Sequence, residues 1–173
     1  MKGYNHLGLA TDVLSQPART YLIDFFEENK NVREKDYNLL NTWQALLDYS
    51  DHMQIEMMAR VQLAAETTTR MKLLPCTSGK LVEYIKGSSA KGHLDDIRSS
   101  ALSVITMIDL SKDLMGGEAY FARDAAAADY HKMIPGPLEN GESLMYGGEM
   151  YHGVEEIFSG RRLVLITWFL EDV

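Results

Sequence analysis

The sequence contains a single cysteine, Cys76, and no run of apolar residues long enough to cross a membrane. A disulfide bond within the chain is therefore excluded, and nothing in the cysteine content points to an oxidising compartment. A membrane-spanning helix needs about 20 consecutive apolar residues, and polar residues interrupt every window of that length. Polar residues also follow Lys2 where a signal peptide would turn apolar. We therefore expect a cytoplasmic protein.

Positive charge is scarce and scattered along the chain. The sequence has 17 basic and 25 acidic residues, which gives a net charge of −8 at pH 7. A nucleic-acid-binding surface needs clustered lysine and arginine, so we expect neither a nucleic acid nor a membrane as partner. With 173 residues, of which 46% are hydrophobic, the chain is expected to form one domain with a substantial core.

The first 70 residues are predicted to be mainly helical. Pro17 suits the first turn of a helix, and Ser15 lies near its cap position. Between Tyr21 and Phe26, apolar residues recur at the three- and four-residue spacing of an amphipathic helix. A second helical stretch is predicted from Leu40 to Thr69, where apolar residues again follow a helical spacing.

From residue 71 onward, short apolar runs are separated by glycine, serine, asparagine and proline. The predicted strands are Leu81–Ile85, Ala101–Leu110, Glu118–Ala122, Ser143–Tyr146 and Leu163–Leu170. Short strands of this kind favour an antiparallel sandwich or barrel, and Arg123 to Glu139 is interpreted as a short helical turn or mobile loop. Helices first and strands afterwards predict an α+β domain whose helices cover one face of the sheet.

Three residues are candidate metal ligands. In His93-Leu94-Asp95 the imidazole and the carboxylate point to the same side of an extended strand, so they can share a metal ion. His152, much later in the chain, offers a second imidazole. Two histidines and one carboxylate form a facial triad, which leaves open positions on an octahedral iron(II) ion for a keto acid and dioxygen.

Arg162 stands at the start of an apolar strand that leads to Trp168. A buried arginine needs a carboxylate or another anion, and its forked guanidinium suits the carboxylate of a keto acid. Arg162 shares strand parity with Val164, Ile166 and Trp168, so the four side chains are expected on one side of the strand. Arg161 then points the other way and is expected to be a solvated surface charge.

These features, taken in order, resemble the prolyl-4-hydroxylase-like branch of the 2-oxoglutarate- and iron(II)-dependent dioxygenases. The resemblance covers about residues 80 to 170, and the order and spacing of its parts make it specific. The matching features are Tyr84 in a tyrosine-x-x-glycine segment, His93-Leu94-Asp95, Gly116-Gly117-Glu118, the glycine-led strand Gly141 to Tyr146, His152, and Gly160-x-Arg162.

The resemblance implies a double-stranded β-helix, or jelly-roll, at residues 71–173. The helices of residues 1–70 would support it, within a single oxygenase domain that spans residues 1–173. The two glycines Gly116 and Gly117 are expected in a turn that needs positive φ.

The resemblance also implies chemistry. Iron(II) would bind to His93, Asp95 and His152, and 2-oxoglutarate to Arg162 and Tyr84, with dioxygen as the other co-substrate. The expected reaction hydroxylates an unactivated C–H bond and releases succinate and CO₂. Related halogenases have a small residue at the position of Asp95, so its presence favours hydroxylation.

Some positions depart from the pattern or stay open. Asp109 stands where many relatives have a tyrosine that helps to bind the keto acid. A carboxylate facing inward would repel that ligand, so either Asp109 points out of the barrel or the pocket is built differently. Arg98 and Arg123 are candidate substrate-binding cations, and a plain surface charge is the alternative for each.

Several functions remain compatible with the sequence. The compact chain has no obvious recognition module, which favours a small-molecule substrate such as an amino acid or a natural-product intermediate. A prolyl residue of a peptide is the alternative within the same family. In a different class, the jelly-roll could bind a metal without a keto acid, or could be a non-catalytic barrel. Arg162 discriminates between these classes, because a barrel without 2-oxoglutarate has no need of a buried cation there.

Overall fold

A computed structural model describes residues 7–30, 39–76, 78–95, 101–126 and 132–173. Two helices lie in the first half of the chain, α1 (Gln16–Asn29) and α2 (His52–Thr69). The strands are β1 (Leu7–Ala10), β2 (Leu39–Leu46), β3 (Ser78–His93), β4 (Leu102–Leu110), β5 (Met115–Gly116), β6 (Ala119–Ala122), β7 (Ser143–Gly147), β8 (Tyr151–Val154), β9 (Ile157–Ser159) and β10 (Arg161–Phe169). None of the helices in the described ranges is long and apolar enough to cross a membrane.

The strands form a curled antiparallel sheet. Its order is β1-β7-β4-β10-β3-β8-β6, and β2 pairs with β3 beside this path. Strands β5 and β9 form a separate two-stranded ladder. The arrangement is that of a jelly-roll with two helices, which confirms the predicted α+β fold with a double-stranded β-helix core.

Strand β3 bends sharply in its middle, and the bend connects the two layers of the jelly-roll. Its first part pairs with β10, whereas its last residues pair with β8. At the bend Gly87 has a φ of 80°, which is open to glycine and costly for other residues. The Ser88 hydroxyl accepts a hydrogen bond from the Ile85 amide (2.9 Å) and donates one to the Asn41 carbonyl (2.6 Å). These bonds hold the turned backbone against β2.

The sheet separates two hydrophobic clusters, because successive side chains of a strand point to opposite faces. On β10, Leu163 and Leu165 face the helices, whereas Val164 and Ile166 face the interior of the roll. The helices contribute Leu22, Phe26, Met57, Met58, Val61 and Ala65 to the outer cluster. Each such buried side chain stabilises the fold by about 1.5–3 kcal/mol. The helices therefore cover one face of the sheet, as predicted.

The helix starts show where the sequence interpretation was right and where it was wrong. Helix α1 has Ser15 at its N-cap and Pro17 in its first turn, as predicted. The second helix begins only at His52, where the Asp51 carboxylate accepts hydrogen bonds from the amides of Met53 and Gln54. The stretch predicted as helix from Leu40 is instead strand β2 up to Leu46. A short apolar run fits either periodicity, and pairing with β3 decides in favour of the strand.

The five predicted strands overlap β3, β4, β6, β7 and β10. The segment from Arg123 to Glu139 lies partly outside the described residues. In its described parts the chain forms turns and one isolated bridge, in which the backbones of Met133 and Phe121 exchange hydrogen bonds of 2.8 and 2.9 Å.

An ion cluster ties helix α1 to the outer face of the sheet. One Arg161 guanidinium nitrogen, Nη1, lies 3.2 Å from a Glu83 carboxylate oxygen and 3.5 Å from one of Glu27, and the other, Nη2, lies 3.2 Å from Asp109. The Glu83 side chain is only 6% exposed, so its carboxylate has little access to water and pairs with this cation.

We predict that Arg161→Met lowers the free energy of unfolding by about 1–3 kcal/mol, because a buried carboxylate loses its charged partner. Urea unfolding measures the change. The control is Arg60→Met, which removes an exposed ion pair with Glu56 on α2 and should cost no more than about 0.5 kcal/mol. Equal effects of the two substitutions would show that the cluster adds nothing beyond a surface pair.

Candidate metal centre and active site

The pairing of β3 with β8 brings two histidines together. His93 is the last residue of β3, and it lies directly opposite His152 in the antiparallel register. Directly opposed side chains of an antiparallel pair lie on the same face, and the two imidazole ring centroids are 4.4 Å apart. The register thus joins residues that are far apart in the sequence.

Asp95 completes the cluster from just beyond the end of β3. Its two carboxylate oxygens lie 3.7 Å from His93 Nε2 and 3.9 Å from His152 Nε2. Within the described residues these three side chains can present ligand atoms that all lie within 4.8 Å of one another. The structure therefore brings the three predicted ligands to one point, at a spacing that one metal ion can bridge.

Both histidines are oriented by backbone carbonyls. His93 Nδ1 lies 2.7 Å from the Lys91 carbonyl oxygen, and His152 Nδ1 lies 2.8 Å from that of Met150. A carbonyl oxygen can only accept, so each Nδ1 carries the proton and each Nε2 keeps a free lone pair. Both lone pairs face Asp95, which is the arrangement that a metal-binding imidazole needs.

The protonation of His152 also favours metal binding. Burial lowers the pKa of this imidazole, although the nearby Asp95 carboxylate opposes the shift. A lowered pKa keeps the ring neutral near pH 7, and only the neutral ring offers a lone pair to a metal.

Ser103 and Tyr146 surround the cluster from strands β4 and β7. The Ser103 hydroxyl donates a hydrogen bond of 2.5 Å to Asp95 Oδ2. The Tyr146 ring packs on His152 with 4.5 Å between the ring centroids. Sequence reasoning missed Ser103, because a single serine in an apolar strand carries no local sign of this contact.

A cavity of about 230 Å³ opens beside the three candidate ligands. Its wall is mostly apolar and aromatic, with Phe121, Val154, Ile166 and Trp168 among the lining residues. Lys80 also lines it, and its ammonium lies 5.6 Å from the centroid of the Trp168 ring.

Arg162 lies in the interior of the roll, as its strand parity predicted. Its guanidinium carbon is 4.9 Å from the centroid of the Tyr84 ring, and Nη1 donates to the Gly117 carbonyl. Its Nε has no hydrogen-bond partner among the described residues, and no described carboxylate lies within ion-pair distance. Burial lowers the pKa of Arg162, but a guanidinium stays charged at neutral pH. The site thus contains a buried cation without an ion pair among the described residues, although the Glu118 carboxylate acts on it from a longer distance.

The cavity beside Arg162 adjoins the cavity at the three candidate metal ligands. Arg162 lines a second cavity of about 850 Å³, which shares Ile105 and Ala119 with the cavity at the candidate ligands. Tyr84 lines the cavity at the ligands and also contacts Arg162. A small elongated ligand can therefore extend from the metal candidate to the guanidinium along Tyr84.

The predicted glycine turn is present next to Arg162. Gly116 and Gly117 have φ values of 78° and 76°. A Cβ atom on Gly117 would lie 2.7 Å from Ile157 and 3.7 Å from Arg162 Cδ. The turn therefore needs glycine both for its backbone angles and for the close approach of Ile157.

The ion cluster on the outer face decides the orientation of Asp109, which the sequence left open, and tests the prediction for Arg161. Asp109 points out of the roll and pairs with Arg161, so it cannot repel a ligand inside. The expectation that Arg161 is a solvated surface charge was wrong in part, since its side chain is only 33% exposed and contacts three carboxylates. On β4, Met107 and Leu110 line the cavity that Arg162 also lines.

Of the two candidate substrate cations, the one that the structure describes lies away from the site. The Arg123 side chain is 85% exposed and pairs with the neighbouring Asp124 at 2.8 Å, and it lines neither cavity. Arg123 is therefore a surface charge, which was the alternative given for this residue. Arg98 lies outside the described residues.

Solved structures of similar architecture include several oxygenases. A prolyl-4-hydroxylase from Pseudomonas putida has a TM-score of 0.72 and 17% identity, covering 98% of this chain and 95% of that one. A viral collagen prolyl hydroxylase from Paramecium Bursaria Chlorella virus-1, solved with 2-oxoglutarate, has a TM-score of 0.68, 14% identity, and coverage of 98% of both chains. HygX from Streptomyces hygroscopicus, solved with nickel, 2-oxoglutarate and hygromycin B, has a TM-score of 0.68 and 9% identity, covering 94% of this chain and 82% of that one.

The chain has the fold of these oxygenases. The resemblance that the sequence predicted over residues 80 to 170 is confirmed as a likeness of fold, and it extends over nearly the whole chain. No family model matches the sequence, and no curated protein does.

We predict that the protein binds one equivalent of Co(II), and that His152→Ala abolishes this binding because it removes one of three ligands. Titration followed by the visible absorption of Co(II) measures the stoichiometry. The control is His52→Ala, which changes an exposed histidine at the start of α2 and should leave the titration unchanged. Undiminished binding by folded His152→Ala would place the metal elsewhere.

Proposed function

We propose that the protein is an iron(II)- and 2-oxoglutarate-dependent dioxygenase that hydroxylates an unactivated C–H bond of a small molecule, with release of succinate and CO₂. The iron ion, once bound with 2-oxoglutarate and O₂, supplies the oxidising chemistry that no amino-acid side chain can provide. What this chain supplies is the set of ligands, the anchoring of the co-substrate and the shape of the cavity.

One combination of features carries the proposal: a His-Asp-His cluster next to a buried guanidinium with no anionic partner among the described residues. The cluster alone fits several metal ions. The guanidinium alone would be costly to bury, because its charge is removed from water without compensation. A ligand that binds a metal at one end and presents a carboxylate at the other explains both features, and 2-oxoglutarate is such a ligand.

Each residue then has a distinct role. His93, His152 and Asp95 would hold the iron ion, as a facial triad of two histidines and one carboxylate does. Arg162 pairs with the far carboxylate of 2-oxoglutarate, and Tyr84 orients both the guanidinium and the co-substrate. The apolar wall of the roll keeps water away from this pair, which strengthens the charge interaction.

The cavity supports a small substrate. Its volume of about 230 Å³ is below the roughly 300–1,000 Å³ of pockets that hold drug-sized ligands. Apart from the candidate ligands, Lys80 is the charged residue of its lining in the described part of the chain. An ammonium in the lining of a mostly apolar cavity favours a substrate with a carboxylate and an apolar body, which describes a free amino acid or a similar natural-product intermediate.

The alternative within the same fold is the hydroxylation of a prolyl residue in a peptide. The likeness of fold to prolyl-4-hydroxylases favours this candidate. A keto-acid-independent metal-binding barrel is the alternative of another class, and it leaves the buried charge of Arg162 unexplained. A cytoplasmic location stays a prediction from the sequence.

We predict that an anaerobic titration with iron(II) and 2-oxoglutarate produces the visible charge-transfer band of the chelate. Arg162→Met should weaken 2-oxoglutarate binding by about 1.5–3 kcal/mol, or roughly 10- to 150-fold, because it removes a charged hydrogen-bond partner. Iron binding should remain, since Arg162 contacts none of the three ligands.

The matched control is Arg161→Met, which removes the adjacent arginine from the opposite face of the same strand. It should leave 2-oxoglutarate affinity unchanged even where stability falls. An Arg162→Met variant with undiminished 2-oxoglutarate affinity would remove Arg162 from its role, and a wild-type protein without the band would contradict the whole class.

We predict that free amino acids stimulate succinate release more than a proline-rich peptide does. The assay measures succinate formed from 2-oxoglutarate with each of the common amino acids, their carboxamides and the peptide. Lys80→Gln should reduce stimulation by the carboxylate form and leave that by the carboxamide unchanged, because only the carboxylate gains from the ammonium. Stimulation by the peptide alone would favour the prolyl hydroxylase alternative.

A further inference from the structure

Asp95 differs from the two histidines in how its position is fixed. His93 and His152 belong to strands and pair with each other across the ladder. Asp95 lies two residues beyond the end of β3, so no ladder hydrogen bond of that strand holds it. Besides its approach to His152, its carboxylate accepts a 2.5 Å hydrogen bond from the Ser103 hydroxyl in β4. Ser103 is fully buried.

Tyr146 links Ser103 to the other side of the cluster. It lies opposite Ser103 in the register of β4 and β7, and the two side chains share a hydrogen bond. The Tyr146 ring packs on His152. One tyrosine therefore contacts the group that holds Asp95 and one of the imidazoles.

We propose that Ser103, supported by Tyr146, is a positioning residue that makes Asp95 a single-oxygen ligand. The hydroxyl donates a hydrogen bond to Oδ2, so Oδ1, which lies 3.7 Å from His93 Nε2, would be the oxygen that binds the metal. A carboxylate bound through both oxygens would take a further coordination position. Binding through one oxygen leaves three positions open, as a keto acid and dioxygen together require. This inference rests on the proposed metal site.

The test is a Co(II) titration of the whole chain, with the affinity and the visible absorption spectrum of the bound ion as readouts. Ser103→Ala should weaken Co(II) binding by about 10- to 100-fold, which is the usual effect of losing a contact that orients a ligand. It should also change the spectrum, because the freed carboxylate can bind through both oxygens. Ser103→Thr keeps a hydroxyl and should restore affinity and spectrum. Tyr146→Phe keeps the ring on His152 and should have a smaller effect of the same kind.

The matched control is Ser143→Ala. Ser143 and Thr106 lie on the same two strands, are also fully buried, and share a hydrogen bond of 2.7 Å. Their parity puts them on the opposite face from Ser103. Ser143→Ala therefore removes a buried hydroxyl from the same ladder without affecting Asp95, and it should leave Co(II) affinity and spectrum unchanged. Unfolding of the metal-free variants measures the structural cost separately.

The possible outcomes separate this inference from the proposed function. A wild-type protein that does not bind Co(II) would contradict the metal site itself. Ser103→Ala with wild-type affinity and spectrum would overturn the positioning role and leave the site intact. An equal loss in Ser143→Ala would show a general packing effect, which also overturns it. If Ser103→Ala does not fold, an unaltered spectrum and affinity in Tyr146→Phe overturn the inference.

Discussion

The antiparallel register between the last residues of β3 and strand β8 is the constraint on which the site depends. It sets His93 opposite His152, although β4, β6 and β7 lie between them in the sequence. In a ladder with a two-residue period, a shift by one residue would turn one imidazole to the other face. The bend at Gly87 lies between the part of β3 that pairs with β10 and the part that pairs with β8, so the path of the backbone there also bears on the site.

The two neighbouring arginines of β10 show how one strand serves both fold and site. Arg161 faces the helices and is compensated by three carboxylates of the protein. Arg162 faces the interior and forms no ion pair with a described residue, and its Nε has no hydrogen-bond partner there. A protein that needed only stability would neutralise both charges, or replace the buried one by an apolar residue. Of these two adjacent cations, Arg161 forms ion pairs that stabilise the fold, whereas Arg162 forms none with a described residue and is therefore the one expected to bind a ligand.

The sequence allowed His93, Asp95, His152 and Arg162 to be grouped, because their order and spacing carry chemical meaning whatever the intervening loops do. It also allowed the strand-rich second half to be predicted, since each strand there is bounded by turn residues. Strand β2 was not predicted, because its apolar spacing is compatible with a helix and only pairing with β3 makes it a strand. Ser103 could not be found for a related reason: its contact depends on which strand end meets Asp95, and that is a property of the assembled sheet.

The acceptors that orient the two imidazoles are backbone carbonyls, those of Lys91 and Met150. In many proteins that orienting role belongs to a carboxylate side chain, which a single base change in the gene can remove. Here the side chains at both positions can vary without loss of the acceptor, provided the local backbone path is kept. The strand backbone thus fixes the tautomer of each histidine ligand. Substitutions of Lys91 and Met150 are therefore compatible with an intact metal centre.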